Sequence, residues 1–165
     1  MAKSKEKDNK TNAMRILDKN KVKYQINTYE CDEFKDGITI ADMLGQSYES
    51  SFKTLVTVGK SKNYYVFVIP IAEELDMKKA AKAVSEKNIE MIHVKEINNI
   101  TGYIRGGCTP VGMKKNYMTV IHESVNDFDE IIVSGGKIGV QILLSPIDLI
   151  QVTGAVTGDI IVKKE

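Results

Sequence analysis

The chain has 165 residues, 42% of them hydrophobic and 27% charged, which is enough for one domain with a substantial core. Its net charge of +1, with 21 lysines and only two arginines (Arg15 and Arg105) among 22 acids, excludes a protein that grips nucleic acid by a large basic excess. Any RNA contact should therefore be local, and a partner protein should supply most of the affinity.

Residues 1–10, MAKSKEKDNK, are lysine-rich and polar, lack the apolar centre of a secretory signal, and read as a disordered tail ahead of a single domain over 11–165. TNAMRILDKN then predicts a short helix capped by Thr11 or Asn12, with Ala13, Ile16 and Leu17 on one face. VKYQINTYE alternates as a strand carrying Tyr24 and Tyr29, and Thr39 to Leu44 predicts a helix stopped at Gly45. FKTLVTVGKSKNYYVFVIP reads as two strands turning at 59–63, the second apolar throughout and so central. Gly59-Lys60-Ser61 imitates the end of a phosphate loop, but Thr54 stands where the first glycine belongs and no helix follows.

LDMKKAAKAVSEK is the clearest helix, capped by Asp76, with Met77, Ala80, Ala81 and Val84 at helical spacing. A short strand IEMI and a polar segment lead into TGYIRGGCTPVGMKK (101–115), which holds four of the twelve glycines. MTVIH, EIIVS and IGVQILLS read as strands, the last two turning at Gly135-Gly136-Lys137. Ser145-Pro146 opens a last helix ended by Gly154, and GDIIV closes the chain as a strand. The mixed order predicts an α+β fold: a single domain with a mixed, curved sheet flanked by helices. No apolar run reaches membrane-spanning length.

Side-chain nucleophiles are poorly supported. His93 and His122 are the only imidazoles, no serine sits in a Gly-x-Ser-x-Gly elbow, and His122 reads as a satisfied histidine at a strand end. Cys31 and Cys108 have no metal-type spacing and suit free thiols in a reducing cytoplasm; neither a metal nor a cofactor is expected. Cys108 is flanked by glycine, as an exposed nucleophile would be, but no base lies near it in sequence. What remains is backbone: Gly106-Gly107 and Gly135-Gly136 either present bare N–H groups to an oxygen or are tight turns, and the residues alone leave both readings open.

FKTLV (52–56), ELDMKKAAKAV (74–84), TGYIRGGCTPVGMKK (101–115) and IIVSGGKIG (131–139), in this order and spacing, closely resemble the YbaK/EbsC family of free-standing aminoacyl-tRNA deacylases. These are related to the editing domain of bacterial prolyl-tRNA synthetase, and the resemblance runs from about Asn12 to Ile161. It implies a cytoplasmic trans-editing hydrolase, acting above all on Cys-tRNA(Pro), with the tRNA 3′ aminoacyl end as substrate and prolyl-tRNA synthetase as partner. Deacylation of another mischarged tRNA such as Ala-tRNA(Pro) by water, and a non-catalytic module binding tRNA or synthetase, are the alternatives.

By the same resemblance Lys53, Gly106 and Gly107 are catalytic, while Tyr29, Thr109, Pro110, Ser134, Gly135 and Gly136 bind substrate. Lys53 would be a charged donor to oxygens of the terminal adenosine, Gly106 and its neighbours would hold the carbonyl, and the substrate's own thiol would attack. On the residues alone Tyr29 fits a core position and Ser134 a turn. An aspartate common in the family seven positions after the serine is Gln141 here, and Cys108, at a position the family fills with aliphatic residues, is expected to be dispensable.

Overall fold

A computed structural model describes residues 10–31 and 33–164. The expected tail, apart from Lys10, lies outside the described residues. Lys10 itself pairs with Asp18 and, through that bond first, holds the Asp18 carboxyl below its usual range.

Helix α1 (Asn12–Lys19) begins where Thr11 Oγ1 accepts the Met14 N–H at 3.3 Å, and it buries Ala13, Met14 and Leu17. Strand β1 spans Tyr24–Thr28. Helix α2 (Gly37–Leu44) starts two residues before the expected Thr39, because the Asp36 carboxylate accepts the Thr39 N–H at 2.8 Å and caps an earlier turn. It ends as expected at Gly45, whose φ of +67° favours glycine.

Strands β2 (Phe52–Gly59) and β3 (Tyr64–Pro70) form the expected hairpin. Helix α3 (Met77–Ala83) is capped by Asp76, which accepts from the N–H groups of Lys78 and Lys79. Strand β4 (Ile89–Met91) follows. The segment after it, read from sequence only as polar, folds into a 3-10 turn (Val94–Glu96) and helix α4 (Ile97–Thr101), which buries Ile100 and Thr101 and stops at Gly102. Then come β5 (Met118–His122), a 3-10 turn (Glu123–Asp127), β6 (Ile131–Ser134), β7 (Val140–Leu144), α5 (Pro146–Thr153) and β8 (Val156–Gly158).

The strands divide between two sheets. One is antiparallel, β1-β7-β6; the other is mixed, β4-β2-β3-β5-β8, with β3-β5 and β5-β8 parallel. Central β3 is covered on both faces: Val66 and Val68 enter a core shared with Phe52, Ile121, Ile142 and Leu149, while Tyr65, Phe67 and Ile69 enter a second core against Leu75, Ala80 and Ile160. Alternation along one strand thus serves two cores. Fully burying each large aliphatic or aromatic side chain contributes roughly 1.5–3 kcal/mol.

The closing strand is displaced from the expected GDIIV to Val156–Gly158. Residues 159–162 follow a different partner: Asp76 N–H donates to Ile160 O, Val162 N–H to Glu74 O, and Lys79 Nζ to both Asp159 and Ile161 O. The apolar run therefore pairs across the start of α3, with Leu75 bridging Ile161.

Where the two sheets meet edge to edge they are joined only narrowly. Ser51 bridges Ile132, and Ile132 N–H donates to Ser50 O at 3.0 Å. Strand β4 pairs only with Thr57–Gly59, so the first half of β2 has no strand on that side. That gap holds the candidate site.

Candidate functional site

A cavity of about 460 Å³ opens in this gap, floored by Phe52–Val56 of β2 and walled by Ile132–Ser134 of β6 and Val140–Gln141 of β7. Tyr29 and the segment after it, the start of α2, Arg105, Gly106 and Cys108 of the glycine-rich loop, and the apolar Met91, Ile92, Val94 and Ile97 also line it. The structure thus brings Lys53, Tyr29, Gly106 and Ser134 to one cavity.

Lys53 reaches it from the open edge of β2. Burial lowers its ammonium pKa below the usual lysine value, with Glu74, Asp36 and Glu73 pulling the other way. It makes no hydrogen bond or close ion pair with any described residue. A half-buried ammonium without a direct partner, in a cleft, has the character of a ligand-binding charge. Tyr29 follows β1, fixed by its N–H donating to Gly139 O at 2.9 Å. Burial raises its phenol pKa, so it faces the cavity as a neutral donor. Ser134 ends β6, and its Oγ accepts the Gly136 N–H at 3.3 Å.

The four glycines are not equivalent. Gly107 is buried, its N–H donates to Ile104 O at 2.9 Å, and an added Cβ would lie 2.7 Å from the Lys137 Cα. Gly135 is buried and donates to Val140 O at 2.8 Å. Gly136, at φ +103°, packs against Thr11 and Tyr103. Only Gly106 of the four is both exposed to the cavity and free of any acceptor for its N–H among the described residues. Its φ of +86° is a conformation in which glycine is favoured.

Thr109 and Pro110 lie elsewhere. Both are buried and neither lines this cavity; Thr109 Oγ1 has no hydrogen-bond partner among the described residues, and Pro110 borders a smaller pocket with Gly112 and Tyr117.

Two cavity residues, Gln46 and Phe34, escaped the sequence reading. Gln141 and Gln46 exchange carboxamide hydrogen bonds at 2.7 and 3.0 Å, so a self-satisfied neutral pair stands where the family pattern has a carboxylate. Phe34 presents its ring under the Arg105 guanidinium, 3.9 Å from its centre. A lone aromatic inside the polar run CDEFKDG was the available signal for it.

Burial pushes the Cys108 thiol up to about 11, which makes it a poor nucleophile near neutral pH. The structure also contains a serine–histidine–aspartate line: Ser124 Oγ is 2.8 Å from His122 Nδ1, and His122 Nε2 is 3.7 Å from Asp159. His122 Nδ1 also accepts the Ser124 N–H at 3.2 Å, capping the 3-10 turn, and none of the three lines the cavity. Its geometry is that of a cap.

Residues 34–152 match the model of the aminoacyl-tRNA editing domain. A protein of Enterococcus faecalis, provisionally described as the Cys-tRNA(Pro)/Cys-tRNA(Cys) deacylase EbsC, is 44% identical over 167 residues, covering 99% of this chain and 100% of its own. The fold is shared with the crystal structure of a protein provisionally described as a trans-editing enzyme for prolyl-tRNA synthetase (TM-score 0.79, 22% identity, 92% of this chain and 96% of that one). It is shared too with the hypothetical protein APE2540 (TM-score 0.84, 21% identity, 92% and 99%). The chain therefore belongs to the aminoacyl-tRNA editing domain family and is an aminoacyl-tRNA deacylase.

Proposed function

We propose that the protein is a free-standing editing enzyme that clears mischarged Cys-tRNA(Pro) in the cytoplasm, recruited by prolyl-tRNA synthetase. The observation that carries this reading is the pairing, in one cavity, of a Lys53 ammonium and a Gly106 N–H, neither of which hydrogen-bonds to any described residue. Such a pair holds an ester through its oxygens without attacking it.

The chemistry follows from that division of labour. Lys53 engages oxygens of the terminal ribose, Tyr29 and Ser134 orient ribose and aminoacyl group, and the Gly106 N–H meets the ester carbonyl. The substrate thiol adds to the carbonyl carbon, and the oxyanion that forms is stabilised by the preorganised amide. As the C–O bond to the ribose breaks, the thiol's proton ends on the departing 3′ oxygen, and the cyclic thioester released opens in water to free cysteine. Positioning supplies much of the acceleration, because the nucleophile is already tethered to its target. The near-neutral charge of the chain fits recruitment through a synthetase.

The Gln46–Gln141 pair supports a second reading, in which a small neutral side chain such as alanine is removed by water. The test is hydrolysis of Cys-tRNA(Pro) by the wild type and by Lys53→Ala. Loss of a charged hydrogen bond predicts a fall in kcat/KM of roughly 10- to 150-fold. Full activity in the variant, or none in the wild type, would remove the proposal.

A further inference from the structure

Arg105 immediately precedes Gly106 at the mouth of the cavity and is one of two arginines among 23 cationic side chains. Its guanidinium lies over the Phe34 ring, 3.9 Å from the centre. Phe34 in turn is seated on Gly106: a Cβ added there would come within 3.0 Å of Phe34 Cδ2, so the missing side chain is what admits the ring. Among the described residues the Arg105 guanidinium has this stacked contact and no hydrogen-bond or ion-pair acceptor.

A guanidinium held flat by a ring but without an acceptor is a preorganised fork. Its paired N–H groups match the paired oxygens of a phosphate, a geometry that the ammonium of lysine cannot reproduce. We propose that Arg105, held flat by Phe34, binds a backbone phosphate of the RNA 3′ end while the neighbouring Gly106 receives the acyl carbonyl. This rests on the reading of the cavity as an aminoacyl-tRNA site, and it adds a phosphate anchor to that reading. The anchor sets the register of the entering strand, since phosphate contacts position and do not specify sequence.

The test compares two substrates: Cys-tRNA(Pro), and adenosine esterified with cysteine at its ribose, which keeps acyl group, sugar and base but has no internucleotide phosphate. Wild-type turnover of both establishes the site, and turnover of neither overturns that reading together with this one. Arg105→Ala is expected to lower kcat/KM on the tRNA about tenfold or more, mainly through KM, with a several-fold smaller loss on the nucleoside ester. The slope of log(kcat/KM) against log[salt] should become shallower by about 0.7, the share of one phosphate on a single strand. Arg105→Lys should restore that slope but not the affinity, and Phe34→Leu, which frees the fork, should raise KM on the tRNA preferentially. Equal fractional losses on both substrates would assign Arg105 to the base or the acyl group, and no loss on either would leave the fork idle; each overturns the proposal.

Discussion

Two glycine pairs that look alike in sequence do opposite work. Gly135-Gly136 is used up by the protein itself: Gly135 donates to Val140, its carbonyl accepts Thr11 Oγ1 at 2.6 Å, and Gly136 lies against Thr11 and Tyr103. The pair ties the start of α1 to the β6–β7 turn. Gly106-Gly107 is divided, with Gly107 packed on the Lys137 backbone while Gly106 keeps an open amide at the cavity. Glycine marks a close approach in both; whether a ligand or the chain makes that approach depends on which amide is already occupied.

The comparison can be broken by substituting both. Gly135→Ala should be the more damaging to the fold, since its Cβ would lie 2.5 Å from Val140 Cγ1 and 3.0 Å from Val140 O. Overpacking of this kind costs roughly 1–3 kcal/mol or more, to be read as a drop in the urea midpoint. Gly106→Ala meets the side chains of Phe34 and Ile138 at 3.0 and 3.3 Å and carries left-handed strain of about 1–2 kcal/mol, so it should unfold less readily but lose more deacylation per folded molecule. Equal ratios of activity to stability in the two variants would erase the distinction.

Cys108 sharpens it on the chemical side. Its thiol, pushed up from 9.0 to about 11, holds its proton more tightly folded than unfolded. Its contribution to stability is therefore complete below pH 9 and lost as pH rises toward 11. Cys108→Ala should flatten that part of the pH–stability curve, and at pH 7.5 the thiol should resist iodoacetamide. Rapid alkylation, or Cys108→Ser abolishing deacylation in a folded protein, would make the thiol a nucleophile after all. The smallest effect is expected at Thr109, whose buried hydroxyl has no partner among the described residues. Thr109→Val should raise stability slightly, by up to about 1 kcal/mol, and retain activity; a loss of activity would return Thr109 to the substrate.

Much of the architecture was legible because local signals and tertiary packing agreed. Asp76 before MKKAAKA, Gly45 and Gly154 after their helices, and the apolar run of β3 all carried their own punctuation. Helix α4 was missed because Ile97–Thr101 is barely more than one turn, too short for a periodic pattern, and its stability comes from burying Ile100 and Thr101. The last strand was misplaced because IIV reads equally well against any open edge, and the α3 entrance supplied one. Within the site, Lys53 and Gly106 could be placed by pattern. The separation of Gly106 from Gly107, Thr109 and Pro110 could not, since it depends on where Lys137 and Phe34 come to rest. Gln46 meets Gln141 across 95 positions, a pairing no local window contains.

The most direct measurement is the release of cysteine, alanine and serine from the same tRNA(Pro), by the wild type and by Lys53→Ala. If the protein supplies grip and the substrate supplies sulfur, cysteine leaves far faster than alanine or serine and all release depends on Lys53. Serine or alanine released as fast as cysteine would contradict the account, because water would then be the attacking group.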